Sequence, residues 1–174
     1  DVCSSDLGFQ GGAFRQRWDR GFETRGFGAN FKHSLRQPGP WKMTFYGFGE
    51  CLPNHENYIE LDKAKVDAWG IPTLRINCMW RENERALLQD MSLSAAEMLA
   101  ASGARDIEPF VENNAPGLTI HEMGTARMGR DPKTSVLNSY NQAHDVKNLF
   151  ITDGETMVSA SCVNPSLTYM ALTA

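Results

Sequence analysis

The sequence predicts an α+β fold: an antiparallel sheet with a helix, then a loop-rich region with one strand and a closing helix. Three observations predict it. Residues 41–80 hold β-rich stretches, "WKMTFYGFGECL", "NYIELD" and "TLRINCMW". Residues 83–102 change to helical spacing, and "ETMVSASCV" forms a small-residue loop before Asn164-Pro165.

Taken in order, "DVCSSDL" at residues 1–7 looks like the translation of a sequencing-adapter oligonucleotide fused in frame, and it is set aside from fold reasoning. Residues 8–39, rich in Gly, Arg and Phe without a sustained period, read as loops with short elements. In "TLRINCMW", Leu74, Ile76, Cys78 and Trp80 alternate with Arg75, Asn77 and Met79, a strand with one apolar face. "DAWGIP" supplies the turn before it. Leu87, Met91, Ala95, Met98 and Leu99 follow helical spacing, and Gly103 stands where a C-terminal cap belongs. "NNAPG" at 113–117 breaks the chain, separating a region of residues 8–115 from one of 116–174. In the second, "VKNLFITDG" reads as a short apolar strand ending at Asp153-Gly154. Asn164 suits an N-cap and Pro165 a first helical position, so a helix should begin there with its amide groups and positive dipole end free.

Composition narrows the function classes. The 174 residues are 41% hydrophobic and 22% charged with a net charge of −4, which suits a globular protein and argues against a nucleic-acid footprint. The basic stretch "FRQRWDRGFETRG" is interrupted by Asp19 and Glu23 and reads as a solvated face, with an acidic partner as the other reading. No apolar run approaches the ~18 residues of a membrane helix. Cys3, Cys51, Cys78 and Cys162 form no metal-ligand spacing and read as buried free thiols.

The stretch richest in chemistry is "HEMGTARMG", residues 121–129. It opens like the zinc-protease helix His-Glu-x-x-His, but Thr125 stands where the second imidazole belongs, so a metallohydrolase is disfavoured and no metal ligands are assigned. Glu122 and Arg127 beside it suit an ion pair or surface role. His33 and His144 read as solvent or loop residues, and His55 could approach a pocket from the sheet.

His121, Gly124, Thr125, Met128 and Gly129, then Asp153-Gly154, then Asn164 to Thr168, form an ordered series. It resembles the C-terminal region of the glucose-methanol-choline (GMC) oxidoreductases, flavoproteins that oxidise alcohols. The likeness covers about residues 40–174 and is greatest to the sugar and sugar-acid dehydrogenases and the pyranose oxidases. "DAWGIP" between two strands matches the substrate-domain sheet of that family.

The resemblance implies that residues 8–115 belong to a substrate-binding domain. Residues 116–174 would be the C-terminal strand and helix of an FAD-binding, Rossmann-like domain. The family's glycine-rich βαβ turn for the FAD pyrophosphate is not found: Gly26-x-Gly28 and Gly47-x-Gly49 lack the third glycine, so a C-terminal portion of a longer enzyme is expected. The implied reaction oxidises a CH–OH group of a sugar, sugar acid or polyol. His121 would take the hydroxyl proton, Asn164 would hydrogen-bond the same oxygen, and flavin N5 would receive the hydride. Asp153, Gly154, Asn164, Pro165 and the Ser166 amide would hold FAD. A quinone, a cytochrome or O₂ could accept the electrons, and localisation stays open. A non-catalytic ligand-binding role is the other class of reading.

Overall fold

The computed structural model describes residues 7–112, 114–118 and 120–174. Residues 1–6, with Cys3, lie outside the described residues, as does Asn113 of the expected break. The other three cysteines are free thiols, but Cys51 is exposed and Cys78 and Cys162 are half-buried, which corrects the expected burial.

Strand β1 (Leu7–Arg15) pairs antiparallel with β2 (Trp41–Gly49) in unbroken register from Leu7↔Gly49 to Arg15↔Trp41. This corrects the expectation of loops over residues 8–39, and Leu7 of the adapter-like stretch is the first residue of the strand. Glycine normally weakens a strand, but here it makes room for the neighbouring strand. A Cβ on Gly11 would lie 2.2 Å from the Phe45 ring opposite, so the aromatic ring covers the position that Gly11 leaves bare. After β1 a short 3-10 turn, Trp18–Phe22, leads to helix α1 (Gly28–Arg36). Arg20 ties turn to helix by donating to the carbonyls of Gln37 at 2.9 Å and Ser34 at 2.5 Å.

Strands β3 (Tyr58–Val66) and β4 (Pro72–Asn77) form a second antiparallel pair, so the expected sheet is two separate two-stranded ones. The turn between them follows the sequence. Asp67 Oδ1 accepts from the amides of Trp69 at 2.8 Å and Ile71 at 2.9 Å. Register puts Ile59 opposite Ile76 and Leu61 opposite Leu74 on one face, and Glu60 opposite Arg75 on the other.

Helix α2 (Glu82–Ala101) lies within one residue of its predicted span. Glu84 closes a capping box by accepting from the Arg81 amide at 2.9 Å. At the other end the Gly103 amide donates to Ala100 O and the Ala104 amide to Leu99 O, the paired bonds of a glycine-terminated helix. Leu87 and Met91 are buried against β2, where Gly49 and Gly47 let them approach: a Cβ there would stand 2.4 Å from Leu87 and 3.0 Å from Met91. Residues 104–112 then return alongside β2, held by the edge-on contact of Phe110 with Tyr46.

The C-terminal region is organised around Leu137, which is fully buried with Ala126 and Ala143 and flanked by Met128 and Ile151. The strand expected at residues 146–152 is absent: Phe150 makes one isolated bridge, to Gln142. A strand needs a ladder of partners, and only single bridges, Met128↔Leu137 and Leu137↔Ala143, link the neighbouring segments. Helix α3 (Ser166–Thr173) opens one residue later than expected. Pro165 already has helical dihedrals (φ −87°, ψ −3°), but Asn164 makes no side-chain capping bond among the described residues, so the expected N-cap role is corrected. Among the described residues no helix is long and apolar enough to cross a membrane.

Candidate active site

The His121 motif is laid along residues 153–158 by its backbone. The Ala126 amide donates to Glu155 O at 3.2 Å and the Met128 amide to Thr156 O at 2.9 Å. Gly124 makes the approach possible: its φ is +84°, and a Cβ there would stand 3.0 Å from the Val158 carbonyl oxygen. At the other end of the contact, Met123 lies over Gly154. Asp153 turns the chain by accepting from the Glu155 amide at 3.0 Å, starting a 3-10 turn at Gly154–Thr156 whose Thr156 is buried.

Helix α3 packs on the same turn, and Thr173 Oγ1 donates to Thr152 O at 3.2 Å. The structure therefore brings the His121 segment, Asp153-Gly154 and the helix after Asn164-Pro165 around one short stretch of chain. It makes no direct bond between His121 and Asn164. His121 is half-buried, Asn164 is exposed, and neither side chain has a protein hydrogen-bond partner among the described residues. The amides of Ser166 and Leu167 likewise have no protein acceptor among those residues, as expected for the first turn of a helix. Two polar side chains and two free donors thus belong to the chain segments before and after residues 153–158.

Of the two roles expected for Arg127, an ion pair is not formed among the described residues; its guanidinium donates to Thr134 O at 2.8 Å. His144, read from sequence as a solvent or loop residue, is half-buried and structural. Its Nε2 faces Gly129 O at 3.2 Å and Ser135 Oγ at 3.1 Å. Because Gly129 O can only accept, Nε2 carries the proton, and His144 fastens the end of the His121 motif. Glu50 was not anticipated either: it accepts from Ser159 Oγ across 109 positions of sequence. No periodicity marks these residues; their chemistry comes from tertiary placement. His55 is exposed.

Next to Glu50, partial desolvation pushes the Cys51 thiol up to about 11, with the Glu84 carboxylate, the Cys78 thiol and the Glu50 carboxylate adding to it. A groove of about 1220 Å³ between β2, α2 and residues 104–112 reaches Glu50 and Cys51 but includes neither His121 nor Asn164.

This is an α+β arrangement in which a His loop and the helix that follows Asn164-Pro165 share one backbone support. The GMC oxidoreductase family model matches residues 53–173, and the chain belongs to that family. It is 41% identical over 133 residues to a 2-methyl-1,2-propanediol dehydrogenase of Mycolicibacterium austroafricanum, covering 75% of this chain and 23% of that protein. It is 30% identical over 148 residues to the fructose dehydrogenase large subunit of Gluconobacter japonicus, covering 83% and 26%. With the pyranose 2-oxidase of Lyophyllum shimeji it shares 29% over 129 residues, covering 71% and 20%. The chain thus spans about a quarter of the length of the curated relatives it matches.

Proposed function

We propose that this chain carries the proton-handling part of an FAD-dependent oxidoreductase that oxidises a CH–OH group of a small polyol, sugar or sugar acid. The observation that carries the reading is the backbone pairing of the His121 motif with residues 155–156, a few residues before Asn164. His121 acts as the base that takes the hydroxyl proton, a task suited to an imidazole near neutrality. Asn164 hydrogen-bonds the same oxygen and orients the carbon that loses hydride. Both roles need side chains whose polar atoms are left for a ligand, as these are among the described residues. Residues 8–115 serve as part of a substrate-binding domain and 116–174 as the end of a Rossmann-like cofactor domain.

The residues fit the ring end of FAD. Free amides at the mouth of α3 suit a ring that gains negative charge on reduction, and the exposed Asp153 suits the chain attached to it. Asn164, Pro165 and Ser166 would complete the set. When bound, the flavin supplies the hydride acceptor. The 41% identity to an enzyme named for 2-methyl-1,2-propanediol favours a small diol as the first substrate to try.

The test uses the full-length, FAD-loaded protein that carries this chain. His121→Ala should lower turnover by about 10²–10⁴-fold, the usual worth of a positioned base, with flavin absorbance retained. Unchanged turnover would overturn the assignment. Anaerobic bleaching of the flavin across a panel of diols and sugars identifies the substrate. Oxygen consumption then separates an oxidase from a dehydrogenase that uses a quinone or cytochrome.

A further inference from the structure

The loop that delivers Asn164 has little of its own to hold it in place. Among the described residues, 158–163 make no backbone–backbone hydrogen bond. Three tertiary contacts fix it instead. One is the close approach of Gly124 to the Val158 carbonyl within the motif region. The other two come from the far end of the β1–β2 pair. Ser159 Oγ donates to Glu50 Oε1, just past the end of β2. At the facing end of β1, a Cβ on Gly8 would stand 3.0 Å from the Cys162 carbonyl oxygen and 3.2 Å from its Cβ. Leu7 pairs with Gly49 and Gly8 with Phe48, so both contacts come from one edge of one sheet.

We propose that Glu50 is a positioning residue for the reaction: through Ser159 it clamps the 158–163 loop and so fixes Asn164 over the substrate oxygen. Gly8 against Cys162 is the steric half of the same clamp. The inference rests on the reading of Asn164 given above. A residue before the region of the motifs thereby governs a group within it. The physical logic is that an unsupported loop samples many conformations, and a misplacement near 1 Å at a reacting centre can cost about 10²-fold in rate.

The experiment uses the full-length, FAD-loaded protein and four variants: Glu50→Ala, Glu50→Gln, Ser159→Ala and Asn164→Ala. Glu50→Ala and Ser159→Ala should each lower kcat about 10- to 100-fold with KM changed much less, since the clamp aligns the oxygen rather than supplying bulk binding. Glu50→Gln keeps an oxygen that accepts from Ser159 and should restore most of kcat. The double variant Glu50→Ala/Ser159→Ala should be no worse than either single one, because both remove the same bond. A second readout is independent of turnover: in Glu50→Ala, elastase should cut after Val158, Ala160 or Val163 faster than in the parent, while amide hydrogen exchange in α2 stays unchanged.

Unchanged cleavage within residues 158–163 overturns the clamp whatever the kinetics show. Equal damage from Glu50→Gln and Glu50→Ala also overturns it, because the charge and not the hydrogen bond would then matter. If Asn164→Ala lowers turnover while Glu50→Ala does not, the clamp fails and the catalytic reading stands. If Asn164→Ala leaves turnover unchanged, both fail together.

Discussion

Two glycines of the candidate site look alike in sequence and differ in what they permit. Gly124 has φ +84°, and its missing Cβ faces the Val158 carbonyl, a backbone atom that cannot swing aside. Gly154 faces the thioether end of Met123, which can. Left-handed backbone costs about 1–2 kcal/mol for a residue with a Cβ, and the clash adds to it. Gly124→Ala should therefore destabilise by at least roughly 1–2 kcal/mol, and Gly154→Ala by clearly less. Urea unfolding of the two variants beside the parent measures this; equal losses would mean that Val158 moves as readily as Met123. Cys51 allows a pH experiment on the same region. Its thiol is held up to about 11, so the proton stays on throughout the neutral range. Iodoacetamide labelling at Cys51 should keep accelerating beyond pH 9, and a plateau near pH 9 would show an ordinary thiol. Because the folded thiol holds its proton more tightly than the unfolded one, its share of stability is present at neutral pH. That share is lost as pH rises toward 11. Much of this site was legible in advance because His121, Asp153-Gly154 and Asn164-Pro165 follow one another in a fixed order. Glu50 and His144 were not, because a hydrogen bond across 109 positions leaves no local pattern.

Elements that bury a stripe on a neighbour were the readable ones. Helix α2 showed its spacing because Leu87 and Met91 must meet β2, and its end showed in Gly103. Strand β1 was hidden, since a strand with glycines at 8, 11 and 12 has no alternation to read, and its partner's Phe45 ring supplies the packing instead. The strand expected before Asp153 failed for the opposite reason: an apolar run says that a segment wants burial, not that a ladder partner exists. The β3–β4 pair and its turn were read in place, although β4 ends at Asn77, short of the Cys78 and Trp80 expected on it, and magnitudes predict what holds it. The Arg75–Glu60 ion pair spans 3.4 Å but is well exposed, so Arg75→Ala should cost no more than about 0.5 kcal/mol. Asp67 instead anchors two turn amides through one carboxylate oxygen. Asp67→Ala should cost about 1–2 kcal/mol, allowing for the exposure of those bonds. Hydrogen exchange at the cross-strand amides of both variants measures the difference. A larger loss from Arg75→Ala would mean that the ion pair, not the turn, sets this element.

At the scale of the whole molecule, the apolar surface exceeds what the chain covers. Among the described residues five apolar side chains are buried, while Phe27 is 93% exposed, Phe22 88% and Trp69 83%. Scattered apolar residues at a surface are ordinary, but contiguous ones are not. The β3–β4 pair presents a continuous face of Ile59, Leu61, Leu74 and Ile76, all between 43% and 63% exposed, with the charged pair on its other side. Alternation alone would have placed this face in a core; it could not say whether a cover lies within these 174 residues. A two-stranded pair with an uncovered apolar face is marginal in water. The 174-residue chain by itself should therefore bind the dye ANS and self-associate in a concentration-dependent way, as read by fluorescence and light scattering. Leu74→Lys together with Ile76→Lys places two charges on that face without touching the turn or the ion pair, so it should lower both signals. If the double variant binds dye and scatters like the parent, the sticky surface lies elsewhere, and the exposed aromatic pair of Trp18 and Phe22 becomes the face to change next.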